Sequence, residues 1–375
     1  MNPTSIWDTA DGHPSFAPLT ADLEVDVAVI GGGITGITTA QLLAQGGLRV
    51  AVLEARTVGS GTTGSSAGNL YAPVDEYLHK LIDHWNVEKI RRVIRSRIAA
   101  IDLIAANVIR HGIDCDFIRV PWVLYAVGGS HEKCRLVRDE YDAARLLGLP
   151  ARLWGCLPYV MPVDQALVVP QQAQFDPRRY VEQLAAAVVR EPVRGRCEIY
   201  EHTPVVHLDA EAGILRTPRH RVRADRIVMA THTPKGFVFQ QIEVAPYREY
   251  AVAGPLEAKV WPRGIYWSID EPVYSTRSVR VAGREYLLCI GQKHKVGQQP
   301  GTDGNYAQLQ SYVRRHFGVS QFDFQWSAQH YRAADGLPYI GRAIGSARVL
   351  IATGFATDGL VYGTVAAQVI GDDLL

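Results

Sequence analysis

A glycine-rich turn near the amino terminus constrains the fold of this chain more than any other feature. Residues 25–30 form an apolar run typical of a buried strand, and Gly31, Gly33 and Gly36 follow it directly in the spacing G-x-G-x-x-G. Residues 34–45 then have the periodicity of a helix. A strand, a glycine turn and a helix in this order predict a βαβ unit that binds a dinucleotide.

The glycines and the next strand each have a physical task in such a unit. Gly31 allows the tight turn, Gly33 lets a pyrophosphate approach the backbone, and Gly36 lets the helix pack closely on the strand. A second strand over residues 49–53 ends at Glu54, where a carboxylate would accept hydrogen bonds from a ribose. The motif alone does not distinguish FAD from NAD(P).

The stretch after Glu54 is small, polar and rich in glycine over residues 55–69. Two interpretations are open: a flexible loop, or a backbone segment that lies along the cofactor where bulky side chains would not fit. The stretch is longer than an ordinary connection between elements, which favours the second interpretation.

Periodicity and turn residues predict the organisation of the rest of the chain. Helices are expected over residues 77–111, 131–147, 177–189, 306–317 and 358–370. Strands are expected over residues 117–126, 151–154, 197–200, 205–208, 213–216, 225–229, 247–254, 273–276, 286–290 and 348–355, with a turn over 335–341. The strand over 225–229 should lie parallel in the nucleotide-binding sheet, and the last strand and helix should complete that part of the fold.

Composition limits the class of protein. With 375 residues the chain is long for one core, so two domains are expected. A net charge of +1 gives no electrostatic case for nucleic-acid binding, and no apolar run is long enough to cross a membrane. The five cysteines have no metal-binding spacing and the amino terminus lacks a secretion signal, so we expect a cytoplasmic protein without a metal site.

Five stretches, in this order, resemble the D-amino-acid oxidase (DAO) superfamily of FAD-dependent oxidoreductases, the group that includes glycine oxidase and sarcosine oxidase. These stretches are residues 29–36, 61–68, 175–177, 227–231, and 335–341 followed by 352–359. The resemblance extends over about residues 24–372. Further details at 274–277, 291–297 and 326–330 are similar to a bacterial branch that often carries a carboxyl-terminal Rieske domain. The chain ends at Leu375 without the paired Cys/His motifs of that domain, so we expect it to be absent.

The resemblance implies a mixed α/β fold: a Rossmann-type FAD-binding domain of the GR2-like kind, with an interleaved α+β substrate domain built on an antiparallel sheet. The FAD-binding domain would comprise residues 24–75, 150–235 and 331–375. The substrate domain would comprise residues 76–149 and 236–330, and residues 1–23 would form an amino-terminal arm.

The resemblance also implies which residues contact FAD. The pyrophosphate and ribose would lie at the glycine turn, the flavin near the loop after Glu54 and the start of the last helix, and the adenine near Val205. The implied set is Gly31, Gly33, Ile34, Thr35, Gly36, Glu54, Ala55, Arg56, Gly61, Thr62, Thr63, Ser66, Ala67, Gly68, Asn69, Val205, Ala230, Thr231, His232, Gly336, Gly354, Phe355, Thr357, Gly359 and Leu360. The positive end of the last helix would suit the negative charge that reduced flavin develops.

The chain departs from family members at the residues that hold the substrate and the flavin. Sarcosine-oxidase-like members attach FAD through a cysteine where Ala328 stands here, and place a lysine where Val361 stands, so we expect non-covalent FAD. In glycine-oxidase-like members an arginine holds the substrate carboxylate at the position of His330. Candidate substrate-facing residues are His330, Arg332, Tyr250, Tyr274, Arg277 and His294. For four of them a structural interpretation is also open: Tyr250 and Tyr274 as core residues, Arg277 as a surface ion-pair partner and His294 as part of a solvated turn. A near-neutral pKa would suit His330 to polarise or deprotonate a substrate.

The expected reaction is transfer of a hydride from a carbon next to an amine nitrogen to flavin N5, giving an imine that hydrolyses. The substrate would be an amine or an amino acid, and the acceptor O2, a quinone or a protein. Three alternatives stay open: oxidation of another small substrate with a quinone or protein acceptor, an FAD-binding electron-transfer subunit without its own substrate, and an NAD(P)-dependent dehydrogenase. The sequence does not indicate the oligomeric state.

Overall fold

The computed structural model describes residues 4–9, 14–155, 162–191, 194–233, 243–256, 261–269, 271–298, 301 and 303–375. Cys156 and parts of the predicted arm and substrate domain lie outside these ranges. The helices are α1 Ile34–Gln45, α2 Leu78–His84, α3 Val87–His111, α4 His131–Leu146, α5 Pro177–Arg190, α6 Asp303–Phe317 and α7 Gly359–Leu374, with short 3-10 helices at Ile6–Thr9 and Thr63–Ser65. The strands are β1 Leu23–Ile30, β2 Arg49–Leu53, β3 Asn69–Leu70, β4 Ile118–Ala126, β5 Arg152–Trp154, β6 Gln165–Gln174, β7 Arg196–Tyr200, β8 His207–Asp209, β9 Ile214–Arg216, β10 Arg221–Met229, β11 Val244–Pro255, β12 Ile265–Ser268, β13 Ser275–Val281, β14 Arg284–Lys295, β15 Phe324–Ala333, β16 Tyr339–Arg342 and β17 Val349–Thr353.

The first sheet is built around β1 and has the order β16-β17-β10-β1-β2-β7, with β8 and β9 attached to β10. Strands β17, β10, β1, β2 and β7 run parallel, as predicted for β10, because crossover segments connect them. Helix α1 can lie close to β1 because Gly36 has no side chain. A Cβ added there would stand 1.9 Å from the carbonyl oxygen of Gly31. Helix α7 packs on α1 through Gly363, whose added Cβ would lie 2.5 Å from Oγ1 of Thr35.

The second sheet has the order β15-β11-β14-β13-β12-β4-β6-β3, with β5 paired to β6. Its neighbouring strands pair antiparallel except β12 and β4, which are parallel. Strands β3, β5 and β6 belong to this sheet, although the sequence assigned their residues to the FAD-binding part. The division of the chain into domains remains a prediction.

Several elements differ from the sequence expectation. Strands β6, β12 and β15 were not predicted. The turn expected over residues 335–341 is shorter than predicted, because Tyr339–Arg342 form β16. The helix expected over 77–111 is divided into α2 and α3, because the side chain of Asn86 accepts a hydrogen bond from the Lys89 amide at 2.8 Å and starts a new helix. The start of α5 is as predicted, with Asp176 accepting hydrogen bonds from the amides of Arg178 and Arg179.

Candidate active site

A cavity of about 910 Å³ is lined by residues of both sheets. Its walls include the turn after β1, the segment after Glu54, the start of α7, and side chains of β11, β14 and β15. The carboxyl ends of the parallel strands and one face of the second sheet therefore enclose the same space. This is the position where open α/β sheets hold ligands.

The glycine turn forms a cradle that has no room for side chains. Gly31 has φ of +108°, and an added Cβ would lie 2.6 Å from the carbonyl oxygen of Ala230. A Cβ at Gly33 would lie 3.0 Å from Oγ1 of Thr63. Glu54 closes this end, because its carboxylate accepts hydrogen bonds from the amides of Gly32 at 2.7 Å and Arg56 at 2.8 Å.

The segment after Glu54 is held in place by indole groups from distant parts of the chain. Trp7 donates a hydrogen bond to the carbonyl oxygen of Ser66 at 2.7 Å, and Trp326 donates one to that of Ser65 at 2.9 Å. The hydroxyl of Ser5 donates to the carbonyl oxygen of Gly64 at 2.7 Å. These contacts fix the backbone of a stretch that lines the cavity, which favours the cofactor interpretation over a flexible loop.

The start of α7 forms another part of the wall. Thr357 lines the cavity, and its Oγ1 atom is buried without a hydrogen-bond partner among the described residues. Behind it, the Asp358 carboxylate accepts a short hydrogen bond from the hydroxyl of Tyr71 and lies 3.1 Å from the guanidinium of Arg97. Arg97 is fully buried in α3, and it also donates hydrogen bonds to backbone carbonyl oxygens of residues 71–73.

Most of the residues predicted to contact the cofactor line this cavity. They are Gly31, Gly33, Ile34, Thr35, Glu54, Ala55, Arg56, Gly61, Thr62, Thr63, Ser66, Ala67, Asn69, Val205, Ala230, Thr231, His232, Phe355, Thr357, Gly359 and Leu360. Gly36, Gly68, Gly336 and Gly354 do not line it; they lie in the layer behind the wall, where an added Cβ would meet Gly31, Phe175, Leu81 and Ala333 respectively.

His330 and Arg332 of β15 both line the cavity, but His330 lacks the electrostatic character expected of it. Burial and the nearby Lys293 ammonium lower the pKa of His330 to about 3, so the expected near-neutral titration is wrong and the imidazole is neutral. Its ring stacks on Tyr247 with centroids 5.9 Å apart. Arg332 donates a short hydrogen bond to Glu76, so its charge is already paired.

Of the other four candidate substrate residues, Tyr250 lines the cavity, and the side chains of all four have contacts within the protein. Tyr250 is buried, with its ring stacked on His294 at 5.6 Å, and forms a core with residues of α6. Tyr274 stacks on a tyrosine of α6 and its hydroxyl accepts a hydrogen bond from Gln292 at 2.8 Å. Arg277 donates a hydrogen bond to the carbonyl oxygen of Gly68 at 2.7 Å. Tyr274, Arg277 and His294 do not line the cavity.

The sequence analysis missed the acidic and basic groups that do line the cavity beside His330. Lys293 of β14 donates a hydrogen bond to Asp75 at 2.8 Å, and Glu249 projects from β11. Although burial opposes the charge, Asp75 and Glu249 hold the pKa of Lys293 above its ordinary value. Strand alternation could have predicted Lys293 from the sequence. Lys293 and His294 are adjacent on a strand, so only one of them can face the cavity.

Comparisons with known proteins decide the family. A family model described as FAD dependent oxidoreductase (DAO) matches residues 26–372. The chain is a member of the DAO family. The predicted family, the mixed α/β fold with a Rossmann-type FAD-binding domain, and the assignment as an FAD-dependent oxidoreductase are confirmed.

This oxidoreductase has curated relatives that extend over nearly the whole chain. It is 32% identical over 378 residues to the Putative Rieske 2Fe-2S iron-sulfur protein YhfW of Bacillus subtilis, a match that covers 99% of this chain and 72% of the relative. It is 26% identical over 372 residues to a glycine oxidase of Bacillus licheniformis, with 93% of each chain covered.

Solved structures show the same fold. The oxidoreductase superposes on glycine oxidase from Geobacillus kaustophilus with a TM-score of 0.75 and 20% identity, covering 94% of this chain and 95% of that one. L-proline dehydrogenase from P. horikoshii gives a TM-score of 0.75 at 17% identity, covering 94% and 93%. Within the described residues, no helix is both long and apolar enough to cross a membrane.

The residues present fit the FAD that the family requires. The cradle at Gly31 and Gly33 excludes side chains at the end of the cavity where a pyrophosphate would lie. Glu54 offers a carboxylate beside this cradle, and the buried hydroxyl of Thr357 offers a hydrogen-bonding group at the start of α7.

Proposed function

We propose that this oxidoreductase oxidises a C–N bond of a small amine or amino acid to an imine, which water then hydrolyses. The observation that carries the proposal is the continuity of one cavity, which extends from the glycine cradle at Gly31 to His330 and Lys293 on the second sheet. A dinucleotide and a small substrate could therefore share it. The names of relatives such as glycine oxidase support a C–N bond as the target.

Bound FAD would supply the hydride acceptor, and we propose that it is held without a covalent bond. Ala328 stands where sarcosine-oxidase-like members carry the linking cysteine, and it lines the cavity. Gly31, Gly33 and Glu54 would hold the diphosphate and ribose, and Thr357 would hold the flavin. Protein denatured with acid should release all of its yellow chromophore, whereas chromophore that stays with the polypeptide would contradict this part of the proposal.

The chain's own groups would orient the substrate and keep water away. The neutral imidazole of His330 can donate one hydrogen bond and accept another without competing for a proton near pH 7. Lys293 and Asp75 form a fixed charge pair beside it. Tyr71 and Trp267, whose rings meet edge to face at 5.2 Å, give this part of the wall an apolar surface.

An anaerobic titration of the purified flavoprotein with a panel of amines and amino acids tests the function. Bleaching of the flavin bands by one chemical class, with the aldehyde, ketone or keto acid recovered from it, is the expected result. Bleaching by alcohols only, or by no compound in the panel, would contradict C–N oxidation.

A second candidate concerns the electron acceptor. The relative YhfW is named as an iron–sulfur protein, and the oxidoreductase covers 72% of it. We infer that electrons could pass to a one-electron protein acceptor rather than to O2. Peroxide release matching substrate turnover would contradict this inference, and turnover only with an artificial acceptor would support it.

A further inference from the structure

We propose that Glu249 binds the substrate ammonium group, and that the cavity selects amines without a carboxylate beside the reacting carbon. This inference rests on the proposed C–N oxidation and names its substrate class. It concerns a residue that the sequence analysis did not single out.

The register of the second sheet directs Glu249 into the cavity. On β11, Glu249 lies opposite Ala328 of β15, while Tyr247 lies opposite His330 and Ala251 opposite Trp326. Directly opposed residues share a face, and residues two apart on a strand point the same way. Glu249 therefore shares its face with His330, and both line the cavity. Tyr250 also borders the cavity, but its ring packs into the core with residues of α6.

The positive charges near His330 already have carboxylate partners. Lys293 donates its hydrogen bond to Asp75, and Arg332 donates to Glu76. A substrate carboxylate would have to displace one of these acids from its cation. The cost is largest for Asp75, whose side chain is only 10% exposed and would be left unpaired. Neither cation is thus free to act as the carboxylate anchor that amino-acid oxidation needs.

Glu249, in contrast to these paired cations, is an acid without a paired partner among the described residues. Its carboxylate makes no hydrogen bond or ion pair with any residue of the described ranges, although Lys293 is close enough to interact electrostatically. A carboxylate that lines a cavity and has no hydrogen-bond partner among the described residues is a site for a cation that brings its own N–H donors. A substrate ammonium supplies both the charge and the donors.

The surroundings of Glu249 give its binding a characteristic pH dependence. Burial raises the pKa of Glu249 to about 7; Lys293 opposes this, while Asp75 and Asp358 add to it. His330 contributes no charge because it is neutral. The ionised form, which binds ammonium, therefore increases as the pH rises through about 7. The ammonium proton can then move to a Glu249 oxygen, leaving the lone pair on nitrogen that C–H oxidation requires.

Three probes of similar shape test the proposal on the holoenzyme without turnover. Two are amines with no hydrogen on the carbon next to nitrogen, and the third has no nitrogen. They are tert-butylamine, pivalate and 2-aminoisobutyrate, titrated by calorimetry and by perturbation of the flavin spectrum. The amine should bind at least about tenfold more tightly than either carboxylate, with affinity rising as the pH increases through about 7.

Substitutions assign this binding to the residue. Glu249→Gln should weaken tert-butylamine about tenfold or more and remove the pH dependence, with the flavin spectrum unchanged. Glu249→Asp should retain part of the affinity and part of its pH dependence. Glu243 is an exposed acid just before the same strand, and Glu243→Gln should change neither the affinity nor its pH dependence. Tighter binding of pivalate or 2-aminoisobutyrate, no measurable amine binding, or an unaltered Glu249→Gln profile would each overturn the proposal. Failure of the amine panel to bleach the flavin, with probe binding as expected, would reject only the C–N chemistry.

Discussion

The buried pair of Arg97 and Asp358 allows a quantitative test of how α3 holds the start of α7. Arg97→Met keeps the apolar stem but removes the 3.1 Å ion pair and the three hydrogen bonds to backbone carbonyl oxygens. Asp358 would keep only its hydrogen bonds from Tyr71 and from the Asp75 amide. Removing one partner of a buried pair costs about 3–5 kcal/mol because the other charge stays buried.

Equilibrium urea unfolding followed by circular dichroism measures this loss. Burial raises the pKa of Asp358, and Arg97 opposes the rise. Without Arg97 the folded protein should therefore hold a proton on Asp358 more readily than the unfolded chain does. Its stability relative to the parent should then recover as the pH falls, so that the loss is larger at about pH 8 than at about pH 5.5.

Two controls separate the pair from general damage to the helix. The double variant Arg97→Met/Asp358→Asn should regain about 2 kcal/mol or more of unfolding free energy relative to the single variant, because it no longer buries an unpaired carboxylate. Arg95→Met, at an exposed arginine of the same helix, should change stability by less than about 0.5 kcal/mol. A loss below about 1 kcal/mol for Arg97→Met, or a double variant no better than the single one, would refute the reasoning.

Three more predictions concern the cavity. Gly31→Ala should give colourless protein on purification, because the added Cβ would lie 2.6 Å from a backbone oxygen at a φ of +108°; retained FAD would contradict the cradle. His330→Ala should slow anaerobic flavin reduction while FAD stays bound, and His294→Ala, which removes an imidazole outside the cavity, should not; equal rates would remove His330 from the site. Trp326→Phe removes one hydrogen bond of 2.9 Å to the segment after Glu54, worth about 1 kcal/mol, and should weaken FAD binding about fivefold in a fluorescence titration; an unchanged affinity would show that this anchor is dispensable.

The nucleotide-binding part of the fold could be predicted because local physics determines it. The turn from β1 to α1 needs Gly31 for its positive φ and Gly36 for close packing. The spacing of these glycines therefore predicts the turn. The same holds for α5, where Asp176 and Pro177 mark the first turn. These features depend on neighbours within a few residues.

The substrate side could not be predicted to the same degree, because it depends on which face of a strand meets the cavity. Imidazole chemistry suggested His294, but the register of β11 and β14 directs the adjacent Lys293 inward. Strand β6 was missed because Pro170 and several glutamines interrupt its apolar pattern. Strand β15 was missed because His330 and Arg332 face a cavity rather than an apolar core.

The participation of α7 in the cavity has a consequence for how the holoenzyme is assembled. The cradle for the diphosphate is translated early, whereas the groups around Thr357 emerge from the ribosome only after both sheets have been made. A nascent chain that still holds α7 in the exit tunnel has an open, half-built compartment for its prosthetic group. Flavin capture should therefore follow translation of this helix.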